Sequence, residues 1–176
     1  MILSDIKLFC TDIDGVWTDG SMYYSEKGDE IKKFHTYDSA GVLFLNELDI
    51  KSVIITSENT DMVKRRADKL GIKNVFQGVS NKLSVCKQLC LKNKLNLSNI
   101  AYIGDDLNDI PLLKEVGLSA CPNNAPIYIK NIVDWVLPID GGFGAYRYFV
   151  EKYLTEIGKL DYVIEKISNK NNSEFQ

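Results

Sequence analysis

The sequence predicts an α/β fold: a Rossmann-like, doubly wound parallel sheet with helices on both faces. Three observations carry this reading. Short apolar runs such as "IKLF", "SVIIT" and "NIAYI" recur without polar alternation, as in strands buried on both faces. Segments of helical character separate those runs, and alternating strands and helices build a parallel sheet. Several runs end in acidic or hydroxyl residues, at the carboxyl edge where such sheets take their ligands. The 176 residues are sized for one domain with one sizeable core.

In chain order, "IKLFCTDIDG" is a strand that brings Asp12 and Asp14 to its C-terminal end. In "SMYYSEKGDEIKKF", Tyr23 and Tyr24 precede a Lys27-Gly28-Asp29 turn and an Ile31/Phe34 stretch, which predicts a β-hairpin over about 20–35. "SAGVLFLNEL" is a helix and "KSVIITSE" a buried strand. "NTDMVKRRADKLG" is a helix capped by Asn59 or Thr60 and ended by Gly71. A short strand "NVFQG", a helix "NKLSVCKQLCLKNK" and a strand "NIAYIGDD" follow. Next come a helix from about Asp109 to Val116, a strand "LSACP", a helix near Ala125 to Lys130 and an apolar "IVDWVLP" segment. "GGFGAYRYFVEKYL" is a glycine-rich turn entering an amphipathic helix. We expect a single domain over 1–165, no large cap domain, and a disordered polar tail over 166–176.

Composition excludes several classes. With 21 basic and 24 acidic residues the net charge is −3, so no global positive field recruits nucleic acid. No apolar run approaches the roughly 20 residues of a membrane span and no signal-type segment opens the chain, so a cytoplasmic protein is expected. The four cysteines form no CxxC pair and are expected to be reduced. Cys86 and Cys90 share a helical face, but His35 is the single histidine and lies far from them. Hydrolases built on several histidines are thereby removed, and no GxSxG elbow occurs.

Asp12 and Asp14 stand two apart, and strand alternation would point both toward one region. Paired carboxylates repel unless a cation intervenes or one is protonated. Asp105 and Asp106 end a second strand, with Asp109 close behind, so the fold gathers carboxylates suited to a hard, oxygen-loving cation such as Mg²⁺. Thr56 ends a third strand, where its hydroxyl and the following N–H groups suit an anion, and Lys82 supplies a point positive charge.

"DIDGVWTDG", "IITSE", Lys82 and "IGDDLND" resemble, in order, the four motifs of the haloacid dehalogenase superfamily of aspartate-dependent phosphotransferases. The short insert resembles the branch without a large cap domain, the 3-deoxy-sugar-acid phosphatases. The resemblance implies that Asp12 is a nucleophile forming an aspartyl-phosphate and that Asp14 protonates the leaving oxygen and then deprotonates water. It implies Mg²⁺ held by Asp12, the backbone carbonyl of Asp14 and Asp105, and phosphoryl oxygens held by Thr56 and Lys82. Asp109 or Asp106 would position Lys82. Hydrolysis of phosphate monoesters is slow enough that accelerations reach ~10²¹, whereas one acid or base supplies about 10² to 10⁴, so the full set is required.

The branch also implies substrate contacts at His35, Thr36, Tyr37, Asp38, Ser39 and Arg66. Eight-carbon phosphatases usually read "TGR" where this chain has Thr56-Ser57-Glu58. Glu58, with "KKF" and "DSAG", is more similar to the phosphatases of nine-carbon acids, so a nononate 9-phosphate is the preferred expectation. The eight-carbon octulosonate 8-phosphate is the alternative, and a non-catalytic tetramerisation module like those fused to cytidylyltransferases is a further one. Family members assemble as tetramers whose neighbours close the site. Here Met22, Tyr23 and Tyr24 would make that contact and Gly141, Gly142 and Gly144 would let the C-terminal segment approach.

Overall fold

The computed structural model describes residues 3–28 and 30–173. Strand β1 (Leu8–Thr11) is followed by the pair β2 (Tyr23–Tyr24) and β3 (Glu30–Ile31), and by helix α1 (Asp38–Asn46). Then come β4 (Lys51–Ile55), α2 (Asp61–Lys69), β5 (Asn74–Phe76), α3 (Lys82–Asn93) and β6 (Ile100–Ile103). The chain finishes with α4 (Ile110–Leu113), β7 (Leu118–Cys121), α5 (Ile127–Lys130), β8 (Trp135–Val136), α6 (Ala145–Glu156) and α7 (Leu160–Ser173). Six strands form one sheet in the order β5-β4-β1-β6-β7-β8, every neighbouring pair parallel. This is the doubly wound α/β fold expected from the sequence.

Strand alternation divides the interior into two layers. Phe9, Ile54, Ala101 and Ile103 enter a core with α1, α2, α6 and α7, which supply Val42, Leu45, Val63, Ala67, Phe149 and Val163. Leu8, Cys10, Val53, Ile55, Ile100 and Tyr102 face the other way, onto Cys86 and Leu89 of α3, Leu112 of α4 and Ile129 of α5. Because both faces are covered, the strands carry no polar alternation. The first core is aromatic: Phe9 lies 5.2 Å from Phe149 and 4.8 Å from Tyr153, and Trp135 lies 5.9 Å from Phe149.

The connections set the position of the site. From β1 the chain builds outward through β4 to β5, then returns to the other side of β1 with β6 and continues to β8. The order reverses at β1, and the crevice at the carboxyl ends of β1, β4 and β6 is where a ligand fits such a sheet. The hairpin pairs Tyr23 with Ile31 antiparallel, and Asp29 of the expected turn lies outside the described residues.

Helix starts follow local chemistry. Of the two N-cap candidates for α2 it is Thr60, whose side chain accepts from the Val63 N–H. Asn81 caps α3 by accepting from the Ser84 N–H. The helix expected from Asp109 to Val116 is shorter: a 3-10 turn spans Leu107–Asp109 and α4 stops at Leu113. The expectation of a disordered tail from residue 166 is corrected, because α7 continues to Ser173. Val163 is buried and Ile167 packs on the core, while Lys166 and Lys170 pair with Glu47 of the α1 terminus at 3.1 and 2.6 Å. A polar composition concealed this apolar stripe. Residues 174–176 lie outside the described residues.

Phe149→Ala is expected to destabilise the protein by about 3–5 kcal/mol, measured as a shift in the urea midpoint, because the aromatic layer loses its central ring. A loss below about 1 kcal/mol would mean that the layer is not what holds α6 to the sheet.

Candidate active site

Asp12 follows β1 directly, and its N–H extends the ladder by donating to the Ile103 carbonyl at 3.0 Å. The chain then turns tightly, with the N–H groups of Val16, Trp17 and Thr18 all donating to the Ile13 carbonyl. Asp14 therefore sits in a turn rather than at an alternating strand position, so it is the turn and not strand alternation that brings both aspartates to the one cleft they line. The turn is pinned from below, where Trp17 Nε1 donates to Thr11 Oγ1 at 2.9 Å. Gly15 adopts φ +82°, and a Cβ there would lie 1.9 Å from Asp105 Oδ2, so glycine is required for β1's loop to meet β6's.

Around Asp12 the charges are dense and dry. Lys82, the first residue of α3, places Nζ 2.8 Å from Asp12 Oδ2 and 2.6 Å from Asp109 Oδ1. Tyr102 donates its hydroxyl to the same Asp109 oxygen. The other oxygen of Asp109 accepts the N–H groups of Asp105 and Asp106, at 2.9 and 3.0 Å. Asp109 is thus the residue that positions Lys82, whereas Asp106 is exposed and caps its own turn through the Leu107 N–H at 2.7 Å.

Carboxylate oxygens of Asp12, Asp105 and Asp109 lie within 4.8 Å of one another. Both oxygens of Asp109 are committed, but Asp12 Oδ1 and Asp105 Oδ1 are buried with no hydrogen-bond partner. Burial, then the charge of Asp109, pushes Asp12 up to about 7; burial, then the charge of Asp12, pushes Asp105 up to about 8. Burial opposes the Lys82 ammonium, yet Asp12 and Asp109 outweigh it and hold Lys82 above the ordinary lysine value. Two orphaned oxygens in a cluster short of positive charge fit a divalent cation taking oxygen ligands.

Asp14 has different company. Lys32 Nζ lies 2.7 Å from both of its carboxylate oxygens, and the Thr18 hydroxyl is 3.3 Å from one of them. Thr56 ends the β4 edge with its N–H on Phe76 and its carbonyl accepting from Val79, and its hydroxyl accepts from the Glu58 N–H at 3.4 Å. Asn108 bridges the β6 loop to Ser57 Oγ at 2.8 Å. Asp12, Asp14, Thr56, Glu58, Asp105 and Asp106 are among the residues lining one open cleft of about 300 Å³, within the size range of small-ligand sites. Somewhat larger hollows around Lys51 and Asn74 carry no carboxylate.

The remaining predicted residues gather elsewhere, near the start of α1, and do not line this cleft. Arg66 donates to the His35 carbonyl at 3.2 Å and lies over Phe34, so it is only partly exposed. His35 and Tyr37 make an edge contact at 4.7 Å, Ser39 donates to the Thr36 carbonyl, and Arg147 covers Tyr37. Asp38 is fully buried, with one oxygen accepting from the Arg147 N–H at 3.1 Å and the other without a partner. The glycine turn packs on the first loop, where a Cβ on Gly141 would lie 1.8 Å from the Gly15 carbonyl oxygen. Lys32 and Tyr102 were missed by the sequence reading. A lysine two before Phe34 in an extended stretch shares its inward face, and that alternation was the available signal for Lys32.

Two outcomes follow. The thermal midpoint of the native protein is expected to rise with Mg²⁺, by the equivalent of about 2.7 kcal/mol at 100 times the dissociation constant, and Asp105→Asn should remove that rise. An undiminished rise in the variant would exclude Asp105 as a ligand. Burial pushes Asp38 up to about 7 against the opposing pull of the Arg147 N–H and Arg66. The folded state then holds a proton that the unfolded state releases near the ordinary value of about 4, so stability should fall as pH rises between these two values. Asp38→Asn should flatten that slope in urea titrations at pH 5 and 8; an unchanged slope would assign the effect elsewhere.

Comparisons with known proteins identify the family. A family model described as haloacid dehalogenase-like hydrolase matches residues 21–140. The chain is 39% identical over 157 residues to the 3-deoxy-D-manno-octulosonate 8-phosphate phosphatase of Haemophilus influenzae, covering 89% of this chain and 87% of that protein. The solved structure of the Moraxella catarrhalis 3-deoxy-D-manno-octulosonate 8-phosphate phosphatase, in complex with magnesium, phosphate and the sugar acid, superposes with a TM-score of 0.90 at 35% identity, over 94% of this chain and 95% of that one. A cobalt-bound form of the Haemophilus influenzae enzyme gives 0.85 at 39% identity, over 90% and 92%. With the acid cluster, the lysine and the sheet edge already in place, these matches make the chain a member of the haloacid dehalogenase-like hydrolases, on their phosphatase branch.

Proposed function

We propose that this phosphatase hydrolyses the 8-phosphate ester of an eight-carbon 2-keto-3-deoxy sugar acid, 3-deoxy-D-manno-octulosonate 8-phosphate, with Mg²⁺ as its cation and Asp12 as nucleophile. The observation that carries the chemistry is the pair of buried, unpartnered oxygens on Asp12 and Asp105 beside an Asp12 oxygen held by Lys82. The substrate rests on the relatives, which are named for the octulosonate ester.

When bound, Mg²⁺ would supply the positive charge that lets a carboxylate approach a phosphate dianion, held by Asp12 and Asp105 with the Asp14 carbonyl. Lys82 and Thr56 hold phosphoryl oxygens. An Asp12 oxygen attacks phosphorus as the bond to the sugar oxygen breaks, and Asp14 gives that oxygen its proton. Asp14 then takes a proton from water as the water attacks the aspartyl-phosphate, releasing inorganic phosphate and restoring Asp12. His35, Thr36, Tyr37, Asp38, Ser39 and Arg66 are the proposed sugar-acid contacts. Tyr23, Tyr24 and Ile31 are 49%, 70% and 63% exposed on the hairpin, which supports a homotetramer whose neighbours close the open cleft.

One observation favours a nine-carbon substrate as a second reading. Glu58 lines the cleft beside Thr56, and a carboxylate there accepts hydrogen bonds from additional hydroxyls where an arginine would pair with an acid group. The relatives give this reading no support.

Phosphate release from the octulosonate ester should depend on Mg²⁺, stop with chelator and drop to background in Asp12→Asn; an active Asp12→Asn protein would falsify the nucleophile. Specificity constants for the eight-carbon and nine-carbon esters decide between substrates. A native preference for the nine-carbon ester that Glu58→Arg reverses would overturn the octulosonate assignment.

A further inference from the structure

Lys32 and Lys33 follow the hairpin, and their side chains diverge as neighbours in extended chain do. Lys33 is half exposed and pairs with Asp19 at 2.7 Å. Lys32 turns inward, its side chain is fully buried, and its Nζ lies 2.7 Å from each oxygen of Asp14. We infer that Lys32 is a positioning residue for the proton transfer, fixing the Asp14 carboxyl toward the leaving oxygen. This rests on the reading of Asp14 as the acid and base of the reaction.

A buried ammonium is costly unless well paired, and the contacts of Lys32 go to Asp14 alone among the interactions of the described residues. Asp14 lies on a loop, where its carboxyl would otherwise be free to turn about two side-chain bonds. Two equal contacts to one nitrogen, with the Thr18 hydroxyl 3.3 Å from one oxygen, remove most of that freedom. The carboxyl nonetheless lines the cleft and keeps 25% of its side-chain surface exposed, so it is tethered yet open to a ligand. Proton transfer requires hydrogen-bond reach, and a misplacement of about 1 Å can cost on the order of 10² in rate.

The clamp also joins two parts of the chain. Lys32 and Lys33 both tie the hairpin's return to the loop that carries Asp14 and Asp19. The position of the hairpin and the aim of Asp14 are therefore mechanically linked.

The test compares kcat/KM of the native protein, Lys32→Met and Asp14→Asn on two monoesters. The sugar-acid phosphate leaves as an alkoxide that needs a proton, whereas 4-nitrophenyl phosphate leaves as a stable aryloxide. Lys32→Met is expected to lose roughly 10- to 100-fold on the sugar ester and far less on the aryl ester, and Asp14→Asn should show the same bias. If Asp14→Asn shows no bias, the acid assignment itself fails. If Asp14→Asn shows it but Lys32→Met lowers both esters equally or neither, the positioning role is overturned. Thermal midpoints accompany the kinetics, and should the methionine variant fold poorly, Lys32→Gln is judged by the same two criteria.

Discussion

The site depends on a shortage of positive charge at one buried point. Asp12, Asp105 and Asp109 meet within 4.8 Å, and one lysine, Lys82, lies among them. Tyr102 and two N–H groups satisfy what Lys82 leaves open on Asp109, so the deficit falls on Asp12 and Asp105. Burial first, and then the neighbouring carboxylates, push Asp12 up to about 7 and Asp105 up to about 8. A divalent cation would answer the deficit, and a phosphoryl group arriving with its own negative charge would add to the need for positive partners.

The fold exists around that point. β1 occupies the middle of the sheet where the winding reverses, so loops after β1, β4 and β6 converge without any long excursion. Tyr102 alternates to the layer that packs on α3, which brings its hydroxyl to the side from which Lys82 reaches in. Asn81 fixes the start of α3 and therefore the height of Lys82 above the sheet. Glycine at Gly15 removes the one side-chain atom that would displace Asp105, whose oxygen would otherwise stand 1.9 Å away.

The sheet, its winding and the residues Asp12, Thr56, Lys82, Asp105 and Asp109 were legible because each is tied to an apolar strand end or a helix start, and these are local patterns. What escaped was set by distant parts of the chain. The helical part of the expected tail owes its order to Val163 and to Lys166 and Lys170 meeting Glu47, more than a hundred residues earlier. Lys32 looked like one of two charged residues after a turn, and only the burial of its side chain against Asp14 separates it from Lys33. Tyr102 read as one more apolar strand residue, since its hydroxyl acquires a role only through Asp109. The cluster around His35, Arg66 and Asp38 could be named from the resemblance, but its distinctness from the cleft is a matter of three-dimensional packing.

Asp12 and Asp14 pose the problem of two carboxylates two residues apart, and the structure answers it in an unexpected way. The sequence argument offered an intervening cation or a protonated carboxyl; the structure adds a buried lysine beside each, Lys82 between Asp12 and Asp109 and Lys32 on Asp14. The difference between the two arrangements fits the different tasks proposed for them. Asp12 is engaged at one oxygen and left unpartnered at the other, which keeps a lone pair free for a cation or for phosphorus. Asp14 is held at both oxygens while part of its side chain stays open to the cleft, which suits a group that must be aimed and must exchange protons. In the proposed reaction, the number of oxygens that a lysine occupies would set these two identical side chains to their distinct roles. The tight turn after Asp12, which takes Asp14 out of strand geometry, is what allows those two lysines to reach them separately.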